Sequence, residues 1–248
     1  MIPPQPAEGP PPLATYESLA KLIDHSLVRP ELTEAQVEEG CRLARAYGVA
    51  SVTVRPSDVD LAVQWTKGSD VRVGSVAGFP HGSTTTPAKL FEIRDLLRRG
   101  AREIDMVLNI GKMVSRQFQY VEMEIYQAAQ ACHGEGAILK VVFENAFLGE
   151  DMKVIACKIC NRSEVDFVKT ATAYAEGGYT IEDLKLMRRF CVPEVGVKAA
   201  GGVRTLEAAL EVYNVGCTRI GATQTAHILD EWKAHLARLA AETQKIGE

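Results

Sequence analysis

The sequence predicts an α/β fold: a single (β/α)8 TIM barrel preceded by a short Pro-rich tail. Three observations point there. Short β-branched runs alternate with amphipathic stretches, as parallel strands joined by crossover helices require. The strand candidates number eight, the count that closes a barrel. The chain has 248 residues, and one such barrel takes roughly 250.

The strands read, in order, as "KLIDHSL", "ASVTV", "VRVGSVAG", "EIDMVLN", "ILKVVFE", "FVKTAT", "VGVKAAG" and "TRIGAT". The helices between them carry their own signals. Thr33 to Gln36 reads as a capping box, with Leu32 and Val37 as its hydrophobic staple. Thr86 before Pro87 places a cap ahead of a proline at the first helical position. Phe118, Val121, Ile125 and Cys132 recur at helical spacing behind a Ser115 cap. Gly100 closes one helix just before the fourth strand. No linker divides residues 16–248, which read as one barrel domain. Residues 1–15, opening "MIPPQPAEGPPPLA", are dense in proline and read as a disordered or extended tail. The competing layout is an open doubly wound sheet, which usually has a Gly-rich turn after its first strand. Here that strand runs into "VRPELT" without glycine. The glycines gather late, at Gly177–Gly178, Gly201–Gly202 and Gly221, where a barrel commonly binds phosphate.

Composition narrows the function. The chain is 46% hydrophobic and 24% charged, enough apolar matter for a full core in a soluble globular protein. A formal net charge of −4 leaves no electrostatic footprint for nucleic acid. No apolar run approaches the roughly 20 residues of a membrane span. The N-terminus lacks the basic and apolar regions of a secretory signal. The six cysteines (Cys41, Cys132, Cys157, Cys160, Cys191 and Cys217) lie in apolar segments and read as reduced thiols of a cytoplasmic protein. "CKIC", Cys157 to Cys160, has zinc or redox spacing, but it sits in a helical pattern with no second Cys or His pair.

The chemistry is carried by charged residues inside apolar strands. Lys169 lies in the sixth strand and Lys198 in the seventh. Adjacent strands are about 4.8 Å apart, so two inward lysines at similar height crowd each other. Mutual repulsion and poor solvation lower the pKa of one of them. A lysine so shifted is a nucleophilic amine, able to form a Schiff base with a carbonyl. Asp105 in the fourth strand and Asp24 in the first can hydrogen-bond the lysines and relay protons, or serve only as their structural partners. Lys140 in the fifth strand adds a cation, or else turns its head out to solvent. Only a closed barrel brings these five strands' residues together.

At these residues the sequence resembles the deoxyribose-phosphate aldolases, class I enzymes on a (β/α)8 barrel. The motifs, in family order, are "LIDHSL", "GFPHG", "EIDMVLNIG", "LKVVFE", "FVKTAT", "KAAGGVRT" and "RIGAT", spanning about Leu22 to Leu229. The resemblance implies that Lys169 is the Schiff-base lysine, Lys198 the lysine that tunes it, Asp105 a proton-relay carboxylate and Asp24 the first-strand carboxylate of the site. It implies reversible cleavage of 2-deoxyribose 5-phosphate to glyceraldehyde 3-phosphate and acetaldehyde, with no metal or organic cofactor. It also implies a homo-oligomer, dimer or larger. Substrate and phosphate contacts are expected from Thr170, Thr172, Gly201, Gly202, Arg204, Gly221 and Thr223.

The chain departs from the family in the phosphate half. After "KTAT" the family usually has Gly; here Ala173 is followed by Tyr174, Ala175 and Glu176. After the eighth strand the family usually has Gly-x-Ser-Ser; here it is Gly221, Ala222, Thr223 and Gln224, with Gln224 expected to alter the pocket floor. His81 of "GFPHG" is expected to shape its loop or touch substrate, the lysine–aspartate set covering proton transfer. Three other readings stay open. They are a Schiff-base aldolase with a relaxed or unphosphorylated acceptor, a phosphate-binding barrel isomerase or synthase without a covalent lysine, and a non-catalytic binding protein on the same scaffold.

Overall fold

The computed structural model describes residues 10–246, with side chains described up to residue 242. Residues 1–9 of the expected tail lie outside the described residues. Residues 10–15 have no regular structure but are tied to the barrel. The Tyr213 hydroxyl donates to the Pro11 carbonyl at 2.5 Å, and Trp232 Nε1 to the Thr15 carbonyl at 3.0 Å.

Eight parallel strands close on themselves in sequence order. They are β1 (Ile23–Leu27), β2 (Ser51–Val54), β3 (Arg72–Ala77), β4 (Glu103–Val107), β5 (Ile138–Val142), β6 (Phe167–Lys169), β7 (Gly196–Ala199) and β8 (Arg219–Ala222). The helices are α1 (Tyr16–Ala20), α2 (Glu34–Tyr47), α3 (Val59–Thr66), α4 (Thr86–Arg98), α5 (Ile110–Val114), α6 (Phe118–His133), α7 (Glu150–Arg162), α8 (Ile181–Phe190), α9 (Leu206–Asn214) and α10 (Thr225–Ile246). All eight expected strands are present, each trimmed at one or both ends.

The period-two alternation of a strand divides the barrel into two environments. Ile23, Val52, Ile104, Met106, Leu139, Val141, Val168, Val197 and Ile220 are buried in the apolar core. The residues between them are polar: Asp24, Ser51, Thr53, Glu103, Asp105, Lys140, Lys169, Lys198 and Arg219 are all buried. An apolar sleeve thus lies between strands and helices, and a charged column fills the barrel axis. The register sets the column. Asp105 is paired with Lys140, Lys169 with Lys198, and Asp24 with Ser51 on one side and Gly221 on the other.

Helix starts follow the expected signals in one case and depart in two. Thr33 and Gln36 form the reciprocal capping box of α2, with Val37 buried. In α4 the cap position is Thr85, not Thr86, and makes no side-chain cap bond. The Thr86 hydroxyl instead donates to Glu124 at 3.0 Å. Ser115 does not open α6; it closes α5, and Gln117 precedes α6. The reason is Asn109, whose side chain accepts from the Lys112 N–H and starts a separate short helix. Glu124 also binds the fully buried Lys89 at 2.7 Å, and Lys89 donates to the Val107 carbonyl at 2.8 Å. This ion pair fastens α4 and α6 to the C-terminal end of β4. The six cysteines are all free and buried. Burial pushes the Cys41, Cys132 and Cys217 thiols up to about 12, so they remain protonated packing residues.

Candidate active site

The charged column is a connected network. Lys169 Nζ and Lys198 Nζ both lie 2.8 Å from the same oxygen, Asp105 Oδ2. The other oxygen of Asp105 takes Lys140 Nζ at 2.9 Å. Lys140 also meets Asp24 at 3.0 Å and Glu103 at 2.6 Å. Lys198 reaches Asp24 Oδ2 at 2.5 Å, and Asp24 Oδ1 accepts from Ser51 and from Arg219, each at 2.6 Å. Arg219 continues to Glu103 at 3.1 Å and lies over the Phe167 ring. Five expected residues, Asp24, Asp105, Lys140, Lys169 and Lys198, are therefore assembled in one place. Lys140 does not turn outward; three carboxylates hold it inside. Glu103 and Arg219 were not singled out from sequence. Their signal was available: Glu103 stands two residues before Asp105, and Arg219 two before Gly221, both on the inward phase.

Above Lys169 and Lys198 opens a cavity of about 190 Å³ at the C-terminal ends of the strands. It is lined by Asp24, Lys169 and Lys198, by Thr172, Gly201, Gly202, Arg204, Gly221 and Thr223, and by Ala173 and Tyr174. Ser26, Arg29 and Thr53 also line it and were not anticipated. Thr170 does not. Its buried hydroxyl donates to the Ala200 carbonyl at 2.9 Å, and its oxygen accepts from the Ala200 N–H at 3.0 Å, so it joins the ends of β6 and β7. Thr172 lines the wall with its hydroxyl committed to the buried Glu144. Gln224 and Glu176 are exposed and off the cavity wall, so neither alters the pocket floor. Gln224 instead stands just before α10, its carbonyl accepting from the Ile228 N–H. His81 is exposed and borders a neighbouring shallow pocket with Pro80, Ile110 and Phe147.

Two glycines are required by contact. A Cβ on Gly178 would stand 1.8 Å from the Gly201 carbonyl oxygen, so the loops after β6 and β7 touch backbone to backbone. Ala173, the residue that departs from the family's Gly, adopts φ +70°, the left-handed conformation that glycine adopts without strain. Tyr174 follows it and crosses the mouth of the barrel. Its hydroxyl donates to the Val28 carbonyl beyond β1 at 3.0 Å, and its ring meets Phe79 edge-on at 5.4 Å.

Residues 18–227 match the family model described as DeoC/LacD family aldolase. The chain belongs to this family. It is similar to the deoxyribose-phosphate aldolase of Clostridium perfringens, with 44% identity over 214 residues, 86% of this chain and 95% of that one. The same named enzyme of Rhodopirellula baltica is 41% identical over 232 residues, 94% of this chain and 96% of that one. Among solved structures, the tetrameric deoxyribose phosphate aldolase from Aeropyrum pernix superposes with a TM-score of 0.80 at 28% identity, covering 89% of this chain and 93% of that one.

In this DeoC/LacD aldolase, electrostatics follows from the count of charges in the column. Three carboxylates, Asp24, Glu103 and Asp105, face four buried cations, Lys140, Lys169, Lys198 and Arg219. Burial alone would raise the Asp24 and Asp105 carboxyls; the ammonium groups of Lys140 and its neighbours outweigh it and hold both well below the usual carboxylate range. Lys140, with three carboxylates, is held protonated against its burial. Lys198 is different. Burial pushes it down to about 8; Asp105 and Asp24 oppose that, and Lys140 and Lys169 add to it. One lysine of the network thus gives up a proton near neutral pH. Among the described residues, no three His, Cys, Asp or Glu side chains are grouped to hold a metal ion.

The shift on Lys198 predicts a titration. Side-chain NMR of labelled lysines will show one signal, absent in Lys198→Arg, titrating near 8 and not at the ordinary 10.5. In the unfolded chain that lysine binds its proton up to the higher value. Between about 8 and 10.5 the unfolded state therefore holds more protons at this group. Its contribution to stability accordingly rises with pH through that window, measurable by urea denaturation.

Proposed function

We propose that this chain is a class I aldolase that reversibly cleaves 2-deoxy-D-ribose 5-phosphate to D-glyceraldehyde 3-phosphate and acetaldehyde through an imine on Lys169. The observation that carries this is Lys169 at the cavity wall, sharing one oxygen of Asp105 with Lys198. The names of the similar enzymes support the substrate.

The chemistry runs as follows. The Lys169 amine, its proton passed by way of Asp105 to a neutral Lys198, adds to the aldehyde carbon of the open-chain sugar, and water leaves to give a protonated imine. The hydroxyl two carbons along loses its proton. The carbon–carbon bond between that carbon and the imine's neighbour then breaks. Its electron pair moves into the imine to form an enamine, and glyceraldehyde 3-phosphate departs. The enamine carbon takes up a proton, water adds to the imine, and acetaldehyde is released from Lys169. Each step moves a proton, and Lys198 with Asp105 carries them, general acid–base catalysis being worth about 10²–10⁴-fold. Asp24, Lys140, Glu103 and Arg219 hold these groups in place. Gly201, Gly202, Arg204, Gly221 and Thr223 receive the phosphate end, where N–H groups and a guanidinium suit an anion. Thr172 lines the wall and Thr170 positions the loop.

A second reading, a relaxed preference for phosphate, is favoured by Ala173 and Tyr174 at the cavity wall. The partner reading is a homo-oligomer. It is supported by the tetrameric Aeropyrum relative and by the exposed apolar side chains Phe91 on α4 and Met123 and Tyr126 on α6. Small aldehydes and sugar phosphates are the substrates in a cytoplasmic setting. No helix among the described residues is long and apolar enough to cross a membrane.

Four measurements test these readings. Borohydride added with acetaldehyde will leave one ethyl group on Lys169 by peptide mapping; Lys169→Ala will take up none, and an unmodified wild-type protein overturns the imine. Lys198→Leu will lose about 10²–10⁴-fold in kcat/KM with the fold retained. The ratio of kcat/KM for 2-deoxyribose 5-phosphate over 2-deoxyribose will lie between about tenfold and a thousandfold, or about 1.4–4 kcal/mol; several thousandfold ends the relaxed reading. Sedimentation velocity at micromolar concentration will give a species heavier than one chain.

A further inference from the structure

The loop after β1 is held with unusual thoroughness for an exposed segment. Three successive carbonyls are occupied by side chains from other loops. The Tyr174 hydroxyl, from the loop after β6, donates to Val28. The Arg55 guanidinium, just past β2, donates to Arg29 at 3.4 Å and to Pro30 at 2.9 Å. Arg55 is itself fixed by Asp58 at 2.7 Å. What this clamp positions at the cavity is Arg29, which lines it beside the catalytic lysines.

Arg29 has an ion-pair partner, Glu31, at 2.9 Å, but both side chains are about 60% exposed (60% and 61%). An exposed pair of this kind is weak, so it is readily exchanged for a better anion. A phosphate monoester is such an anion: it is dianionic and offers oxygens that a guanidinium binds in a forked geometry. The position fits. In the closed barrel β1 follows β8 and β7 in space. The loop after β1 is therefore the next wall beyond Gly201, Gly202, Arg204 and Thr223. The same half of the cavity carries Ala173 in place of the family's glycine, so a cation from this side makes up for a weakened backbone cradle.

We infer that Arg29 is a substrate-binding residue for the phosphate end of the sugar, delivered from the first strand's loop and held in reserve by Glu31. The inference rests on the aldolase reading above and assigns a phosphate contact beyond the loops of the last three strands. A charge-assisted hydrogen bond of this kind changes binding about ten- to a hundredfold.

The test measures kcat and KM for 2-deoxyribose 5-phosphate and 2-deoxyribose, and competitive inhibition by inorganic phosphate, in wild type, Arg29→Gln, Arg29→Lys and Glu31→Gln. In Arg29→Gln the phosphorylated-over-unphosphorylated ratio will drop about ten- to a hundredfold, mainly through KM, and inorganic phosphate will inhibit correspondingly less. Arg29→Lys will recover part of both. Glu31→Gln will strengthen inhibition by inorganic phosphate. Acetaldehyde trapping by borohydride needs no phosphate and reports the imine separately. If trapping occurs in wild type while Arg29→Gln keeps both the ratio and the phosphate inhibition, the inference is overturned and the aldolase reading stands. If wild type does not trap acetaldehyde, both fall together.

Discussion

Everything in this molecule turns on one carboxylate oxygen shared by two lysines. Asp105 Oδ2 lies 2.8 Å from both Lys169 and Lys198. A full complement of protons on these amines would leave the buried column with more positive than negative charge. Little water reaches that excess, because Asp105, Lys140 and Glu103 are fully buried. The least costly remedy is to release a proton, and the buried Lys198 is shifted toward doing so near neutral pH. A barrel floor built this way holds a labile proton beside an amine at the cavity wall. That is the physical basis of the proposed imine chemistry.

Such a column is expensive to fold around. Each charge taken out of water carries a desolvation penalty that pairing only partly offsets. The apolar sleeve between strands and helices supplies the compensating burial. The remaining carboxylates and cations, Asp24, Glu103, Lys140 and Arg219, leave few oxygens or ammonium groups unpaired. Removing any one of them would strand a charge in the interior. The supporting residues therefore constrain the geometry of the proposed catalytic ones as firmly as direct contact would.

The mouth of the barrel follows a different logic. There the loops are arranged by backbone contact and by side chains that reach across: Gly178 against Gly201, Thr170 against Ala200, Tyr174 to Val28 and Arg55 to Arg29 and Pro30. Most of these ties join the loops of neighbouring strands, and Tyr174 spans from the loop after β6 to the loop after β1. They explain how a site with Ala173 in a strained left-handed conformation keeps a defined shape.

The eight strands, the barrel and the inward lysines were legible in the sequence, because a charged residue in a period-two apolar run leaves only one face for it to occupy. The aldolase resemblance was legible for the same reason: its motifs are the strand ends themselves. Helix starts were less so. Thr86 and Ser115 are good caps by type, but Thr86 is claimed by a distant glutamate and Ser115 by a short helix that Asn109 begins. Nor could the sequence say that Thr170 turns from the cavity to Ala200, that Gln224 and Glu176 stand clear of the cavity, that Glu103 and Arg219 join the charged column, or that Arg29 lines the cavity. Those outcomes depend on which loops meet across the barrel and on which carboxylate lies nearest each cation. Local pattern determines which way a side chain points along its strand; only closure of the barrel decides what it finds there.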